Sequence, residues 1–362
     1  MKGFLRIIVL LSVLLVMFSA SWASYYEEGN NGESWTTAYV IDSAQDFIDM
    51  STRGEYDEQG KYYKLSADID LSGQEFLSRM FSGHFDGQGH TITINALNKN
   101  VSYGVYDATL FRRITGSIRN LNVRGYAVLA GIAGTLGGSA ENCSFIGTVS
   151  ADAKNMNANI GGLFGEISMG AVAKNCNFSG DIRASFAADG WDFSAGGIAS
   201  TVYVGTIESC TANIKVIWNL TDTRDVPNQY GYGSIGGIAG MVVSGDNTIK
   251  NCTSYAEISG DVYKFGGILG DKMYGDVELS GNKWAGNYPE VGSIYSGYVE
   301  VPDNTNDKDT ANDNGNKTDN INDNGGTTTP SSSSGGCDFG VNASVMLVMV
   351  LAGMVLRTLR KH

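Results

Sequence analysis

The residues Gly236-Gly237-Ile238-Ala239-Gly240 belong to a short unit that recurs through the middle of the chain. Each copy places paired glycines before an apolar pair and a small residue, as in Gly161-Gly162-Leu163-Phe164-Gly165, Gly196-Gly197-Ile198-Ala199-Ser200 and Gly266-Gly267-Ile268-Leu269-Gly270. A weaker copy spans residues 130–134. Repetition at a period of about 20–50 residues is typical of a solenoid, in which one supersecondary unit stacks on the next.

In the first four copies, a polar residue followed by a cysteine lies about ten residues after the unit: Asn142-Cys143, Asn175-Cys176, Ser209-Cys210 and Asn251-Cys252. Equivalent residues in adjacent coils should lie about 4.8 Å apart. A buried ladder of thiols, disulfides and a metal site are all open interpretations, and the ladder is favoured because cysteine is often fully buried. Metal has little support, since the only histidines are His84, His90 and His362. The asparagines predict an amide ladder at a bend, because Asn tolerates left-handed backbone.

The composition limits the class of protein. Among 362 residues, 42% are hydrophobic, 48 are Gly and only 4 are Pro, which suits many tight turns between short strands. The formal net charge of −13 argues against a nucleic-acid partner, because phosphate binding needs a basic face.

The two ends of the chain carry predicted targeting sequence. A short basic start, an apolar run and small residues before Ala23 predict a secretory signal peptide over residues 1–23. Residues 301–336 read as a disordered acidic and Ser-rich linker. Residues 337–362 combine an apolar run, at the short end of what spans a bilayer, with a basic tail, and predict a C-terminal transmembrane helix within a sorting segment.

This C-terminal arrangement, with Gly335, Gly336 and Cys337 before the apolar run, resembles the Synergist-CTERM and GlyGly-CTERM sorting signals of bacteria. The resemblance implies processing near Gly336-Cys337 and transfer to the cell surface, with the export and sorting machinery as partners. A plain single-span membrane anchor is the alternative.

Between these ends, residues 24–300 predict one all-β domain. Trp35 to Ile41 reads as a strand, and Ser43 as the N-cap of a short helix whose apolar residues would cap the open end of the solenoid. The strand at residues 62–71 with the strand-turn-strand at 81–94 resembles the opening coils of pectate-lyase-like proteins, and the Gly-Gly units resemble the GLUG motif of bacterial surface proteins. Together these resemblances imply a right-handed, single-stranded parallel β-helix.

Candidate catalytic residues gather at Asp68, Asp70, His84, Asp86 and His90. Asp68 and Asp70 alternate with apolar residues and should point outward, while Asp86-Gly87 reads as a turn. Glycoside hydrolysis needs two carboxylates at a defined separation, and the sequence gives no such pair. The chain is therefore expected to be non-catalytic, with no cofactor and no metal.

Insertions collect at one corner of the predicted coil. The spacing from each unit to the following cysteine is nearly constant, whereas the spacing from cysteine to the next unit varies (143 to 161, 176 to 196, 210 to 236, 252 to 266). The variable loops supply candidate ligand-binding residues: Trp191, Asp192, Trp218, Asp222, Arg224, Asp225, Tyr230 and Tyr232. Aromatic side chains beside carboxylates suit sugar stacking or protein contact. Alternatively, Trp191 and Trp218 fold back to cover the coil edge.

These patterns predict an exported, surface-displayed adhesion or ligand-binding module whose partners are surface glycans or proteins of a host or neighbouring cell. A β-helical polysaccharide lyase or glycoside hydrolase is the alternative, and a purely structural envelope protein is the second.

Overall fold

A computed structural model describes residues 30–52, 59–76, 78–96, 109–153, 159–186, 194–220, 233–260 and 264–294. The N-terminal part contains a 3₁₀ turn, Trp35–Thr37, and one α-helix, α1, Ala44–Thr52. The first strands are β1 Tyr39–Ile41, β2 Tyr62–Leu65, β3 Ile69–Asp70, β4 Met80–Phe81, β5 His84–Asp86, β6 Thr91–Asn95, β7 Phe111–Ile114, β8 Ser117–Arg119 and β9 Asn122–Val128.

The strands of the repeat region follow at regular intervals: β10 Ala133–Leu136, β11 Ser139–Glu141, β12 Ser144–Ala153, β13 Asn159–Gly161, β14 Phe164–Ile167, β15 Ala171–Lys174, β16 Asn177–Phe186, β17 Ser194–Gly196, β18 Ala199–Val202, β19 Gly205–Glu208, β20 Thr211–Leu220, β21 Ser234–Gly236, β22 Ala239–Val242, β23 Asp246–Lys250, β24 Thr253–Gly260, β25 Lys264–Gly266, β26 Leu269–Lys272, β27 Asp276–Ser280, β28 Lys283–Trp284 and β29 Ser293–Ile294.

These strands form four sheets. Sheet 1 has the order β1-β2-β5-β8-β11-β15-β19-β23-β27, and sheet 2 the order β26-β22-β18-β14-β10-β7-β4. Sheet 3 runs β28-β24-β20-β16-β12-β9-β6-β3, and sheet 4 runs β13-β17-β21-β25-β29. The recorded pairs are parallel except for β25 with β29, which is antiparallel. The predicted parallel, solenoid-type β architecture is confirmed, while its handedness stays a prediction.

One repeat passes through all four sheets. β13, β14, β15 and β16 belong to sheets 4, 2, 1 and 3 in turn, and the next repeat starts again in sheet 4 with β17. Register is kept from repeat to repeat, because Gly161 pairs with Gly196 and Gly196 with Gly236. From β13 onward each repeat therefore has a strand in sheet 4, whereas the described strands before β13 belong to sheets 1 to 3.

The paired glycines mark a sharp corner between sheets 4 and 2. A Cβ on the first glycine of a pair would overlap a backbone carbonyl oxygen three residues ahead, that of Phe164 for Gly161 and that of Ala199 for Gly196. A Cβ on the second glycine of the first pair, Gly162, would overlap the Phe178 ring. The chain needs glycine here because the backbone passes too close to its neighbours for any side chain.

Inward-facing residues fill the space between the sheets. The Phe145 and Phe178 rings stack on adjacent coils with centroids 5.9 Å apart and are buried, as are Val149 and Ile182 farther along the same strands. Burying each such side chain stabilises the fold by about 1.5–3 kcal/mol relative to leaving it in water.

The N-terminal end of the solenoid is covered by α1, as predicted. Ser43 Oγ accepts a hydrogen bond from the Asp46 backbone N–H and donates one to Asp46 Oδ2 at 2.7 Å, which fixes the first turn. The Phe47 ring, fully buried, lies 6.3 Å from Phe85 and 5.8 Å from Phe111. The predicted strand over residues 35–41 is wrong in its first half, because Ser34 caps a 3₁₀ turn there and only Tyr39–Ile41 pairs with β2.

The cysteine ladder is present as buried thiols. Cys143, Cys176, Cys210 and Cys252 are all unoxidised and fully buried. Cys252 Sγ, for example, donates to the carbonyl oxygen of Lys250 at 3.3 Å. Burial raises the pKa of the Cys143 thiol, because a thiolate there would lose its water shell.

The asparagine ladder is also confirmed. Asn120, Asn142, Asn175 and Asn251 have φ between 52° and 55°, the left-handed region, and Ser209 shares it at 55°. Asn142 Nδ2 donates to Asn120 Oδ1 at 3.1 Å, which is an amide–amide hydrogen bond of the predicted kind between two adjacent coils.

Within the described residues, no helix is long and apolar enough to cross a membrane. The predicted signal peptide with Ala23, the linker and the C-terminal segment with Gly335, Gly336 and Cys337 all lie outside the described residues.

Candidate functional site

The predicted variable corner lies between sheets 3 and 4. Four segments, at residues 154–158, 187–193, 221–232 and 261–263, each connect a strand of sheet 3 to a strand of sheet 4. The strand residues that flank these segments are in register, since Ala153 pairs with Phe186, and Asn159 pairs with Ser194. The prediction that insertions share one corner is therefore confirmed.

The structure places one of the eight predicted ligand-binding residues. Trp218 lies in β20 with 1% of its surface exposed, inside the hydrophobic core cluster. Its indole is part of the core and offers no exposed face to a ligand, so the prediction that Trp218 lies on a variable loop and binds a ligand is wrong. Its inward position follows from strand alternation, because Val216 two residues earlier also points inward. Trp191, Asp192, Asp222, Arg224, Asp225, Tyr230 and Tyr232 lie outside the described residues.

Two of the predicted catalytic candidates lie on the surface. Asp70 is exposed between buried Ile69 and Leu71, as the alternation predicts. Asp68 is also exposed, and its Oδ1 lies 3.3 Å from His90 Nδ1 and accepts a 2.9 Å bond from the Thr91 N–H. The Thr91 backbone hydrogen bond, with help from His90, lowers the pKa of Asp68.

Asp86 lies in a strand and not in the turn that the sequence predicts. It ends strand β5 and is 1% exposed, and the turn begins only at Gly87. Its Oδ1 accepts hydrogen bonds from the Gln88 N–H at 2.9 Å and Asn120 Nδ2 at 3.0 Å, and its Oδ2 accepts from Arg119 Nε at 2.8 Å. Burial alone would raise the pKa of Asp86, but these donors outweigh it and hold the pKa below its usual value.

Arg119 is the outward-facing member of this network. Its guanidinium carbon lies 3.9 Å from the centroid of the Trp35 ring, a cation–π contact. The Trp35 and Tyr62 rings meet edge to face at 4.8 Å, and the Tyr62 and His84 rings lie 4.5 Å apart. We call Trp35, Tyr62, His84 and Arg119 the Arg119 platform; all four are partly exposed on the outer surface of sheet 1.

A serine next to the platform, Ser117, contacts its histidine. Ser117 Oγ lies 2.8 Å from His84 Nδ1, the separation of a nucleophile and its base. The Ser117 N–H, however, donates to the Gly83 carbonyl oxygen at 3.0 Å and cannot stabilise an oxyanion. Partial burial lowers the pKa of His84, which keeps the ring neutral near pH 7. The arrangement suits binding better than acyl transfer.

A row of alternating charges continues from the platform along sheet 1. The residues that face one another in register on successive strands are Lys64, Asp86, Arg119, Glu141, Lys174, Glu208 and Lys250. The Lys250 Nζ to Glu208 Oε2 distance is 3.6 Å. Opposite charges meet at every strand pair of this row, and a slip of one strand along its neighbour would separate them, so the row helps to fix the register.

Sequence reasoning missed the platform because its members are far apart in the chain and belong to no motif. Trp35, Tyr62, His84 and Arg119 come from four successive levels of the solenoid. A register alignment of the strands of sheet 1 would have brought Tyr62, His84 and Ser117 into one column.

Comparisons with known proteins show similarity of fold. No protein-family model and no curated protein matches this sequence. A Bacteroides ovatus protein, solved by crystallography and proposed to be an immunoglobulin A1 protease, superposes with a TM-score of 0.51 at 21% identity, over 73% of this chain and 82% of that one. An IgA1 protease structure gives a TM-score of 0.49 at 15% identity, over 75% of this chain and 21% of that one. At this identity the first likeness shows the fold alone.

Proposed function

We propose that the protein is a non-catalytic ligand-binding module displayed on a cell surface, which contacts glycans or proteins through the variable corner. One observation carries the proposal: the register of sheets 3 and 4 gathers loops of different length on a rigid scaffold. Binding residues are commonly found on loops that a rigid framework positions. The scaffold here is a right-handed β-helix with GLUG-like repeats.

Two adjacent loops at this corner carry most of the candidate residues. The segments 187–193 and 221–232 are attached to neighbouring strands, because β16 pairs with β20 and β17 with β21. Neighbouring strands lie about 4.8 Å apart, so the strands that flank the segment with Trp191 and Asp192 are next to those that flank the segment with Tyr230 and Tyr232. Aromatic rings with nearby carboxylates can stack on a sugar ring and accept hydrogen bonds from its hydroxyls.

We also propose that the protein is exported and anchored at the cell envelope. Residues 1–23 would direct export, and residues 337–362 would anchor the protein in an envelope membrane until processing near Gly336-Cys337 releases or transfers it. The segment 301–336 would act as a solvated, extended stalk.

A glycan array probed with the purified chain tests the proposal, together with the variants Trp191→Ala and Tyr232→Ala. Binding that each variant weakens by at least about tenfold supports it, since a stacking aromatic contributes roughly 1–3 kcal/mol. Trp284→Phe, at the far end of sheet 3, is the matched aromatic control and should bind normally. The relevant activity assays use polysaccharides and immunoglobulin A1 as substrates. Turnover of either would overturn the non-catalytic proposal in favour of an enzyme.

A further inference from the structure

We propose that the Arg119 platform is a second binding site, which takes a sugar unit bearing an oxyanion, either a carboxylate or a sulfate. This site lies on the outer surface of sheet 1, apart from the loops that connect sheets 3 and 4. It is independent of the proposed function and uses no residue assigned to the variable corner.

Arg119 is held rigidly before any ligand arrives. Its Nε donates to Asp86 Oδ2 at 2.8 Å, and the Asp86 side chain, only 2% exposed, is fixed in turn by Asn120 and the Gln88 N–H. The guanidinium carbon also lies 3.9 Å from the centroid of the Trp35 ring. A long side chain that is already ordered loses little conformational entropy on binding.

The outer end of the guanidinium remains available. Among the described residues, Arg119 bonds through Nε alone, and 40% of its side chain is exposed. The two terminal nitrogens carry the donors that pair with a planar oxyanion in a bidentate manner.

The charges in register around this end are mixed, with two cations and two carboxylates. Asp86 is buried beneath the surface, so the outer side of the row presents Lys64 on one side of Asp86 and Arg119 on the other. Both cations stand out in a chain whose net charge is −13. Two carboxylates are in register with Arg119: buried Asp86, which forms its ion pair at 2.8 Å, and exposed Glu141, which makes no ion pair with Arg119 among the described residues.

The aromatic rings point to a sugar rather than to a free ion. Tyr62 and His84 are partly exposed rings 4.5 Å apart and tilted by 33°, and His84 carries no charge near pH 7. They reach the arginine through Trp35, which contacts both Tyr62 and the guanidinium. Aromatic rings pack against the C–H face of a sugar, while the arginine fork takes its acidic group. An inorganic anion would use the fork and gain nothing from the rings.

The experiment measures binding of the full-length chain to immobilised glucuronic acid, its methyl ester, glucose 6-sulfate and glucose. We expect at least about tenfold tighter binding to glucuronic acid, to glucose 6-sulfate or to both than to the two neutral sugars, because charge-assisted hydrogen bonds are lost with the neutral ones. The two acidic probes distinguish a carboxylate from a sulfate. Equal binding to acidic and neutral probes, or binding to none, would overturn the proposal.

Three variants locate the site. Arg119→Lys keeps the charge but loses the fork, and should weaken acidic binding by about tenfold. Glu141→Gln removes the competing charge from an exposed residue, and should tighten acidic binding about twofold to threefold. Arg183→Lys, at an exposed position of sheet 3 where the arginine pairs with Asp181, is the matched control and should change nothing.

The outcomes separate this site from the corner. Loss of acidic binding in Arg119→Lys with normal binding in Trp191→Ala supports the platform. If Arg119→Lys and Glu141→Gln both bind like the wild type while Trp191→Ala fails, the platform proposal is wrong and the proposed function stands.

Discussion

Replacing Ser209 with Asn should stabilise the protein. Ser209 is the member of the ladder that is not asparagine, and its φ of 55° matches the 52° to 55° of Asn120, Asn142, Asn175 and Asn251. Its N–H donates to the Lys250 carbonyl oxygen at 3.0 Å, just as the Asn175 N–H donates to Glu208 at 3.0 Å. The backbone at position 209 is therefore fixed in the left-handed region by the same contact that fixes the asparagines.

Two terms set the size of the effect. A left-handed residue costs roughly 1–2 kcal/mol for most amino acids, and asparagine avoids part of this cost. A new amide would add a bond like that from Asn142 Nδ2 to Asn120 Oδ1, worth about 0.5 kcal/mol at an exposed position. The expected gain is therefore about 1 kcal/mol, or a rise in Tm of about 2–4 °C for a domain of this size.

Urea unfolding followed by circular dichroism measures the change in the free energy of unfolding. Asn175→Ser is the reverse substitution at the same backbone geometry and should lose about 1 kcal/mol. Ser139→Asn, at an exposed strand position of sheet 1, should give no gain, because asparagine is disfavoured in strands. If Ser209→Asn and Asn175→Ser both leave the midpoint unchanged, left-handed strain does not limit stability here and the reasoning fails.

Three further predictions concern the interior and its charges. Gly196→Ala should destabilise by about 2 kcal/mol or more in urea unfolding, because its Cβ would overlap the Ala199 carbonyl oxygen; Gly73→Ala, with open space around it, is the control. Asp86→Asn should cost about 1–3 kcal/mol at pH 7. Because the folded pKa of Asp86 lies below its ordinary 3.8, this contribution is complete above pH 3.8 and is lost as the pH falls through the folded pKa, so the variant should show a flatter acid limb. In a Cys337→Ser chain, the four ladder thiols should react with a thiol reagent only as fast as the protein unfolds; rapid labelling of the native protein would contradict their burial.

Local patterns predicted the features that depend on near neighbours in the sequence. Phe47 and Met50 lie at helical spacing after Ser43, and the helix that they predicted covers the end of the solenoid. The repeated Asn-Cys pairs predicted two ladders, since equal spacing in each repeat makes the pairs meet in space. The variable spacing after each cysteine predicted the shared corner for the same reason.

Two errors arose where a distant contact decides the outcome. Asp86 precedes a glycine and reads as a turn, yet Arg119 of the next strand of sheet 1 pairs with its charge, and Asn120, which follows that strand, donates a further hydrogen bond to it. Trp218 reads as a loop residue, but the pairing of β16 with β20 extends the strand to Leu220 and turns the indole inward.

The sequence by itself determined the repeating architecture, because glycine pairs, apolar pairs and Asn-Cys pairs each impose a local geometry that stacking then multiplies. Only the tertiary structure decided which side chains from different coils meet. The Arg119 platform and the alternating row from Lys64 to Lys250 depend on strand register, which is set by the packing of the whole core and is not encoded in any single repeat.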